Sequence, residues 1–489
     1  MTIVRGVTTV MTMRFRSLLL VVAGSVLIAG CGGGSTTSTG SSADEVAGLV
    51  PATAPLLLAI ETDPDSDQWQ QADELLGRFP GRQRLLDEAR RGLAEEGVDF
   101  RDDVLPALGD ETYVAVLDFE EGDVVGLTKP RDREKLTELL RESDEPAVTR
   151  EVDGWTLIAE SEEILDTFAG ASETLEDADW FSAAQGRVEE DALVTFFANG
   201  QAIGDALTDA APADCDLPEA YGKLEYAAGT LVAQDDGLKM RVAAEGDGVE
   251  DLVRGESLLA QIPAGAFAYL GSPGFDSGQF SLGAQLRCGL DAGELPDVER
   301  QLGVSFDELF ELFAGGYGLY VRSGTIIPEV TLLLSPEAEA RAVETLDELA
   351  KTVAGLVDTE VKFRRVGDTD ARELNFGPVS ILYGSGDGKV VVSTAAAGFD
   401  ALSAEGDKLE DDEGFRDARE AAGVADGDDV FAYFDLRQLV ELADQLAGLA
   451  EQDLPPEVRS NLEPLQSFLA WGDLSDPNDV EFGAFLGIR

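Results

Sequence analysis

The segment Leu175-Glu176-Asp177-Ala178-Asp179-Trp180-Phe181 recurs further along the chain as Leu409-Glu410-Asp411-Asp412-Glu413-Gly414-Phe415. A run typical of a buried strand follows each copy, Leu193 to Phe197 in the first and Val430 to Phe434 in the second. The elements on either side recur in the same order. We therefore predict an internal duplication, with one repeat over residues 44–250 and the other over residues 251–489. Two unrelated domains are the alternative.

Both repeats consist of predicted hairpins separated by helices. One hairpin runs from Val148 to Ala159 around Asp153-Gly154, and helices are predicted over 131–142 and 337–356. Each repeat closes with a hairpin, over 224–244 and 465–486. Hairpins build antiparallel sheets, whereas a doubly wound sheet needs parallel strands. The predicted fold class is therefore α+β, with two similar domains of antiparallel sheet and packed helices.

The N-terminal 30 residues are predicted to be an export signal. Arg14 and Arg16 precede an apolar run over 18–28, and small residues follow it. A membrane-spanning helix needs roughly 20 apolar residues, so this run is too short to span a bilayer. Leu27-Ile28-Ala29-Gly30-Cys31 resembles a bacterial lipobox. That resemblance implies that Cys31 carries a diacylglycerol and anchors the exported chain to the outer face of the cell membrane. A plain secretory signal is the alternative.

The residues after Cys31 are predicted to form a tether. Residues 32–42 are only Gly, Ser and Thr, a composition typical of flexible coil. Such a coil of this length has an r.m.s. reach of about 18–20 Å. We therefore place a lipidated cysteine and flexible tether over 31–43, ahead of the first repeat.

The charge of the chain excludes a nucleic-acid partner. Lys and Arg number 36 and Asp and Glu 96, giving a net charge of −60. Removing the signal removes three arginines and no acid, so the mature chain carries 33 basic residues and a net charge of −63. Such a field repels nucleic acid and anionic headgroups and favours cations and basic partners. Since 44% of residues are hydrophobic, the chain can still bury substantial cores.

The cysteine and histidine content predicts a disulfide and excludes several kinds of catalytic and metal site. Cys215 and Cys288 form an even pair in an exported chain, which predicts a disulfide, with two buried free thiols as the alternative. The absence of histidine excludes Ser-His-Asp catalysis and His-ligated metals. No catalytic residue and no cofactor are predicted.

A weak calcium candidate lies in the first repeat. Asp63, Asp65, Asp67 and Glu74 occupy EF-hand positions one, three, five and twelve, but Gln68 stands where the loop needs glycine. A helix is also predicted to begin inside this loop, with Asp67 as its N-cap. Helix capping beside a solvated acidic corner is therefore the favoured interpretation, and no metal is assigned.

Several short motifs resemble one family. They are the lipobox, Val50-Pro51-Ala52, Asp63 to Gln68, Phe79-Pro80-Gly81 and Leu108-Gly109-Asp110-Glu111. Together they resemble a group of exported bacterial lipoproteins known as the domain of unknown function 3352. The resemblance implies coverage of nearly the whole mature chain. It implies no known catalytic residue.

These observations favour a non-catalytic cell-envelope lipoprotein that acts as a binding or structural module. The cleft between the repeats is the expected place for an unknown protein or apolar ligand. A carrier of lipid or another apolar ligand is the first alternative. A hydrolase that uses carboxylates is the second, and two close acids with raised pKa values would mark it.

Overall fold

The computed structural model describes residues 40–95, 97–142, 146–189, 191–210, 223–247, 257–274, 295–324, 327–377, 379–403, 405–449, 454–476 and 478–489. Cys31, Cys215 and Cys288 lie outside the described residues. So do the predicted signal and the predicted boundary between residues 250 and 251.

Eighteen strands are described. Those of the first half are β1 Leu56–Glu61, β2 Glu111–Asp118, β3 Asp123–Thr128, β4 Val148–Val152, β5 Trp155–Ala159, β6 Val194–Asn199, β7 Leu224–Gln234 and β8 Gly237–Gly246. Those of the second half are β9 Ala266–Ser272, β10 Tyr317–Arg322, β11 Glu329–Leu334, β12 Lys362–Val366, β13 Thr369–Asn375, β14 Ser380–Gly386, β15 Lys389–Ser393, β16 Asp429–Asp435, β17 Leu465–Asp476 and β18 Asp479–Ile488.

The main helices of the first half are α1 Gly40–Ala47, α2 Asp67–Gly77, α3 Arg82–Glu95, α4 Arg133–Glu142, α5 Glu162–Ala169, α6 Asp179–Gln185 and α7 Gly200–Ala210. Those of the second half are α8 Leu295–Leu302, α9 Phe306–Glu311, α10 Glu339–Leu356, α11 Glu413–Ala422, α12 Leu436–Leu449 and α13 Pro456–Leu462. Because α1 begins at Gly40, the last four residues of the predicted tether are helical. The burial of Val46 and Ala47 against the first core fixes this helix in place.

All described strands belong to one antiparallel sheet. Its order is β4-β5-β3-β2-β1-β6-β7-β8 in the first half, continuing as β18-β17-β16-β9-β10-β11-β15-β14-β13-β12 in the second. The mixture of helices with antiparallel sheet confirms the α+β class. The two halves share this sheet, because β8 pairs directly with β18.

Outward from β8 and β18, the two halves have the same strand order. The series β8-β7-β6-β1-β2-β3-β5-β4 corresponds to β18-β17-β16-β9-β10-β11-β15-β14, and the hairpin β12–β13 is added at the far end of the second. The two similar segments that begin at Leu175 and Leu409 occupy equivalent places. Leu175 donates its backbone N–H to Val50 O at 2.9 Å, and Leu409 donates to Ile262 O at 2.9 Å.

The cores lie on both faces of the sheet because strand side chains alternate with period two. Leu157 packs with α1, α5 and α6, while its neighbour Ile158 packs with α3 and α4 on the other face. In the second half Leu333 belongs to the cluster that contains α11, and Leu334 packs against α10. The sheet therefore carries helices on both faces toward its ends.

Gly483 lies in β18 beneath the indole ring of Trp471. A Cβ at position 483 would overlap this ring, which is itself buried. We expect Gly483→Ala to lower the free energy of unfolding by about 1–3 kcal/mol, the usual effect of overpacking. Thermal unfolding would measure this.

The matched control is Gly355→Ala in α10, where a Cβ meets nothing within 4 Å. This change should stabilise the helix by about 0.5–1 kcal/mol, because alanine has a higher helix propensity than glycine. Equal effects of the two substitutions would contradict the packing of Trp471 on Gly483.

Candidate functional site

The candidate site lies where the two halves meet. Strands β8 and β18 pair over nine residue pairs, from Gly237 with Gly487 to Glu245 with Asp479. We call this ladder the seam. The cleft between repeats that the sequence predicted falls here, so any ligand at this boundary would bind on a face of a continuous sheet.

One face of the seam is charged and largely buried. Lys239 of β8 is only 7% exposed, and its Nζ lies 5.8 Å from the centroid of the Trp471 ring. Burial lowers the pKa of Lys239, and the nearby guanidinium of Arg241 lowers it further. The Lys239 amine also lies close to Gly423, at the C-terminus of α11. A cation is favourable there because the helix dipole is negative at this end.

Ion pairs cross the seam on this face. Arg187, which follows α6 in the first half, pairs with Asp479 and Glu481 of β18. The hydrogen bond with Asp479 raises the pKa of Arg187. In a strongly acidic chain, Arg187 thus places positive charge beside carboxylates of the other half. Arg78, at the end of α2 on the opposite face, adds a second link by donating to the backbone oxygens of Ile488 and Asp235.

The opposite face of the seam is apolar. Residues that lie directly across from one another on successive strands form one row, which we call the apolar row. Its members, from β1 to β15, are Ile60, Val194, Leu231, Met240, Ala484, Ala470, Ala432, Leu270, Leu319, Leu332 and Val392. Because cross-strand partners share a face, these eleven side chains make a continuous apolar stripe across eleven strands.

The middle of the apolar row is open to solvent. Met240 and Leu270 are each 44% exposed, and Phe482, beside the row on β18, is 41% exposed. Helix α7 packs along β6 and β7, and α12 packs along β16, β17 and β9. Helix α2 covers one end of the seam at Leu238 and Leu486, so the open part of this face is the part around Met240 and Phe482. Exposed large apolar side chains gathered on one face are typical of a binding surface.

The calcium candidate residues do not converge. Asp63 pairs with Arg131 at 2.9 Å and accepts the backbone N–H of Asp65 at 3.1 Å. Asp67 is the first residue of α2, and Glu74 is exposed on the same helix. The N-cap is Ser66, not Asp67 as predicted, because the Ser66 hydroxyl accepts the backbone N–H of Trp69. The described residues contain no group of three or more acids or cysteines placed to hold a metal ion.

Two of the family-like motifs meet at an acidic corner. Glu61 and Glu111 are cross-strand partners at the ends of β1 and β2, and Arg131 bridges Asp63 and Asp110. Burial, with a smaller contribution from neighbouring acids of which Glu111 is the first, raises the pKa of Glu61 from its ordinary 4.5 to about 7, although the backbone N–H of Asp63 acts to lower it. Among the described residues, this corner is where two family-like motifs surround a carboxyl group whose pKa is raised.

A third family-like motif contacts the second half. Phe79 packs in a cluster with Trp69 and Ile488, and the backbone N–H of Gly81 donates to Asn461 Oδ1 at 2.6 Å. The motif therefore helps to hold α2 and α3 against the ends of β17 and β18.

A family model supports the resemblance over part of the chain. The model described as "Protein of unknown function (DUF3352)" matches residues 16–124. The match spans less than a quarter of the chain and ends in β3, so it does not extend over the mature chain as the resemblance implied. No curated protein matches.

Two solved structures show a distant likeness. They are titled "Structure of crystal form IV of TP0453" and "Structure of crystal form III of TP0453", at 9% and 11% identity. Each covers 41% of this chain and 79% or 80% of its own, with a TM-score of 0.23. At this TM-score the likeness carries no inference. No helix in the described ranges is long and apolar enough to cross a membrane.

The apolar row and Lys239 were missed in the sequence. The alternation of Leu238, Met240 and Val242 in β8, and of Val480, Phe482 and Ala484 in β18, was visible. It indicates which side chains share a face but not which strand pairs with which. The row appears only once the register of the seam is known.

Glu61 generates a prediction about pH. A carboxyl whose pKa is raised in the folded state stabilises the fold fully below its unfolded pKa, and this stability is lost as the pH rises through the folded pKa. We therefore expect wild type to lose stability between about pH 4.5 and 7. Glu61→Gln should be more stable than wild type above about pH 8, by about 1–3 kcal/mol.

Chemical denaturation across this pH range measures the difference. The matched control is Glu344→Gln, since Glu344 is exposed on α10. A parallel pH dependence in wild type and Glu61→Gln would contradict the assignment of the perturbed carboxyl to Glu61.

Proposed function

We propose that the protein is a non-catalytic, exported lipoprotein, anchored through Cys31, that binds an apolar ligand on the open face of the seam. The observation that carries the proposal is the apolar row, whose central members Met240 and Leu270 are exposed on a structured sheet. A purely structural module has no need for such a stripe, because exposed apolar surface favours association.

The shape and charge of the site indicate the class of ligand. The open stretch of the row, from Met240 on β8 to Leu270 on β9, crosses four inter-strand spacings of about 4.8 Å, or about 19 Å, while members toward its ends are packed into cores. An extended acyl chain matches a long, narrow and apolar surface. The net charge of −60 disfavours an anionic ligand. A neutral or zwitterionic lipid is therefore the ligand class that we propose.

The repeated strand order supports a finer proposal, that the two halves arose by internal duplication. Equivalent ring contacts add to it: Phe181 and Phe197 lie 4.8 Å apart, and Phe415 and Tyr433 lie 5.0 Å apart. In each half the residue that ends the strand also caps the next helix, Asn199 ahead of α7 and Asp435 ahead of α12. On this proposal, the ligand lies across the junction of two related units.

The anchor has its own support and its own test. The match of Leu27 to Cys31 with a lipobox supports acylation of Cys31. Intact mass of the chain purified from the envelope should show a new N-terminus at Cys31 with an added diacylglycerol. A chain cleaved elsewhere, or without added mass, would contradict the anchor and leave the ligand proposal standing.

A neutral fluorescent probe tests the ligand site. We expect N-phenyl-1-naphthylamine to bind wild type, and Met240→Gln to raise the Kd about fivefold, because covering a half-exposed apolar side chain is worth about 1 kcal/mol. Leu85→Gln is the matched control, since Leu85 is 41% exposed on α3 and is not a member of the row. Equal losses in both variants, or no binding by wild type, would overturn the proposal.

A further inference from the structure

The most exposed large apolar side chains of the described residues cluster in one short stretch. Phe363 is 86% exposed, Leu356 79% and Val357 51%, while the other exposed large apolar residues reach at most 44%. The three fall within eight residues of sequence. None of them is a member of the apolar row or of a core cluster.

This stretch lies at one end of the sheet. Leu356 is the last residue of α10, and Phe363 lies in β12, the end strand, which pairs only with β13 among the described strands. The guanidinium carbon of Arg372 lies 5.8 Å from the centroid of the Phe363 ring. That contact supports one side of the ring and leaves most of it in solvent.

The end strand is also unusually basic. β12 contains Lys362, Arg364 and Arg365 and no acid, in a chain whose net charge is −60. Lys362 makes no ion pair with a described residue, and Arg365 lies 3.9 Å from the fully exposed Asp368. Arg364 pairs with Glu373 of β13 at 3.0 Å, so Lys362 and Arg365 are the two exposed cations of the strand that lack a close ion pair with a described residue.

The end strand at the opposite edge of the sheet, β4, is charged but has no exposed large apolar side chain. In β4, Arg150 pairs with Glu162 and Asp166, and Glu151 pairs with Arg133. None of the exposed large apolar side chains lies in β4. An end strand needs charge to resist edge-to-edge association, and β4 has that charge without exposed aromatic or aliphatic groups. Edge protection alone therefore does not account for Phe363, Leu356 and Val357.

We propose that residues 356–365 form a membrane contact, in which Leu356, Val357 and Phe363 enter the interface of a bilayer. Lys362 and Arg365 then reach the headgroup phosphates, and their apolar stems cover the rim of the inserted groups. The exposed ammonium of Lys362 and guanidinium of Arg365 complement phosphate in a chain whose net charge otherwise repels it. The inference rests on the proposed anchor at Cys31, which keeps the folded part near a membrane.

The two attachments would fix an orientation. Helix α1 packs in the core beside β1, and β12 lies thirteen strand spacings from β1 in the sheet, about 62 Å at 4.8 Å per spacing. An anchor that enters beside β1, the fifth strand from one end, and a contact at the opposite end would lay most of the long direction of the sheet along the bilayer.

Depth-dependent quenching in vesicles tests the contact. The full chain is reconstituted in phosphatidylcholine vesicles, with and without phosphatidylcholine that carries brominated chains. We expect the added emission of Phe363→Trp to be quenched about twofold or more by the brominated lipid, since bromine quenches only indoles within the bilayer. Leu85→Trp is the control and should be unaffected, because Leu85 lies on α3 and away from both proposed lipid sites.

Charge reversal provides the second measurement. In the Phe363→Trp chain, Lys362→Glu with Arg365→Glu should reduce the quenching, because both changes repel the headgroup phosphates. No quenching of Phe363→Trp in a chain whose intact mass shows an acylated Cys31 would overturn the contact. Unacylated Cys31 together with quenching would support the contact and contradict only the anchor.

A second copy of the chain is the competing occupant. If this surface were a self-association site, the emission of Phe363→Trp would shift to the blue as protein concentration rises, without any lipid. That result would overturn the membrane contact and assign the surface to a dimer.

Discussion

The pairing of β8 with β18 is the interaction on which the rest of the structure depends. Without it, each half would end in a ten-residue strand that is paired on one side only, and its free edge would be open to association with other chains. The register relates the two strands symmetrically, because the first residue of each strand pairs with the ninth residue of the other. Gly237 begins β8 and pairs with Gly487, while Asp479 begins β18 and pairs with Glu245. Corresponding positions of the two strands thus exchange roles, as in an isologous interface between two like subunits.

The same ladder gives the protein two different faces. Because side chains alternate along a strand, one set of β8 and β18 residues packs around Trp471 and Lys239, and the other continues the apolar row. The charged face holds the halves together through Arg187, which offsets the repulsion between acidic halves. On the proposed function, the ligand binds on the apolar face. Fold and proposed function therefore depend on one register, since a slip of one residue would exchange the faces.

Local structure could be predicted from the sequence where turn-forming residues or a clear alternation of apolar residues mark it. The hairpin of β4 and β5 was predicted because Asp153 and Gly154 suit a tight turn, and both have positive φ. The hairpin β12–β13 was missed because β12 is exposed and shows no alternation.

The seam joins strands more than 200 residues apart, and no local signal encodes that pairing. Matching the repeats by sequence sets Phe196 against Tyr433, whereas the structure places Phe197 in that position. The acidic corner could be located from its motifs, but the burial that perturbs Glu61 could not.

Hydrogen exchange of the β8 and β18 amides, followed by mass spectrometry on the full chain, tests the central claim most directly. If the seam is a ladder in the interior of one sheet, these amides exchange as slowly as those of β1 and β2 and are released in the same unfolding event. If the halves are independent domains that merely touch, β8 and β18 are edge strands. Their outward amides would then exchange rapidly while β1 and β2 stay protected, and that result would contradict a single sheet joined at the seam.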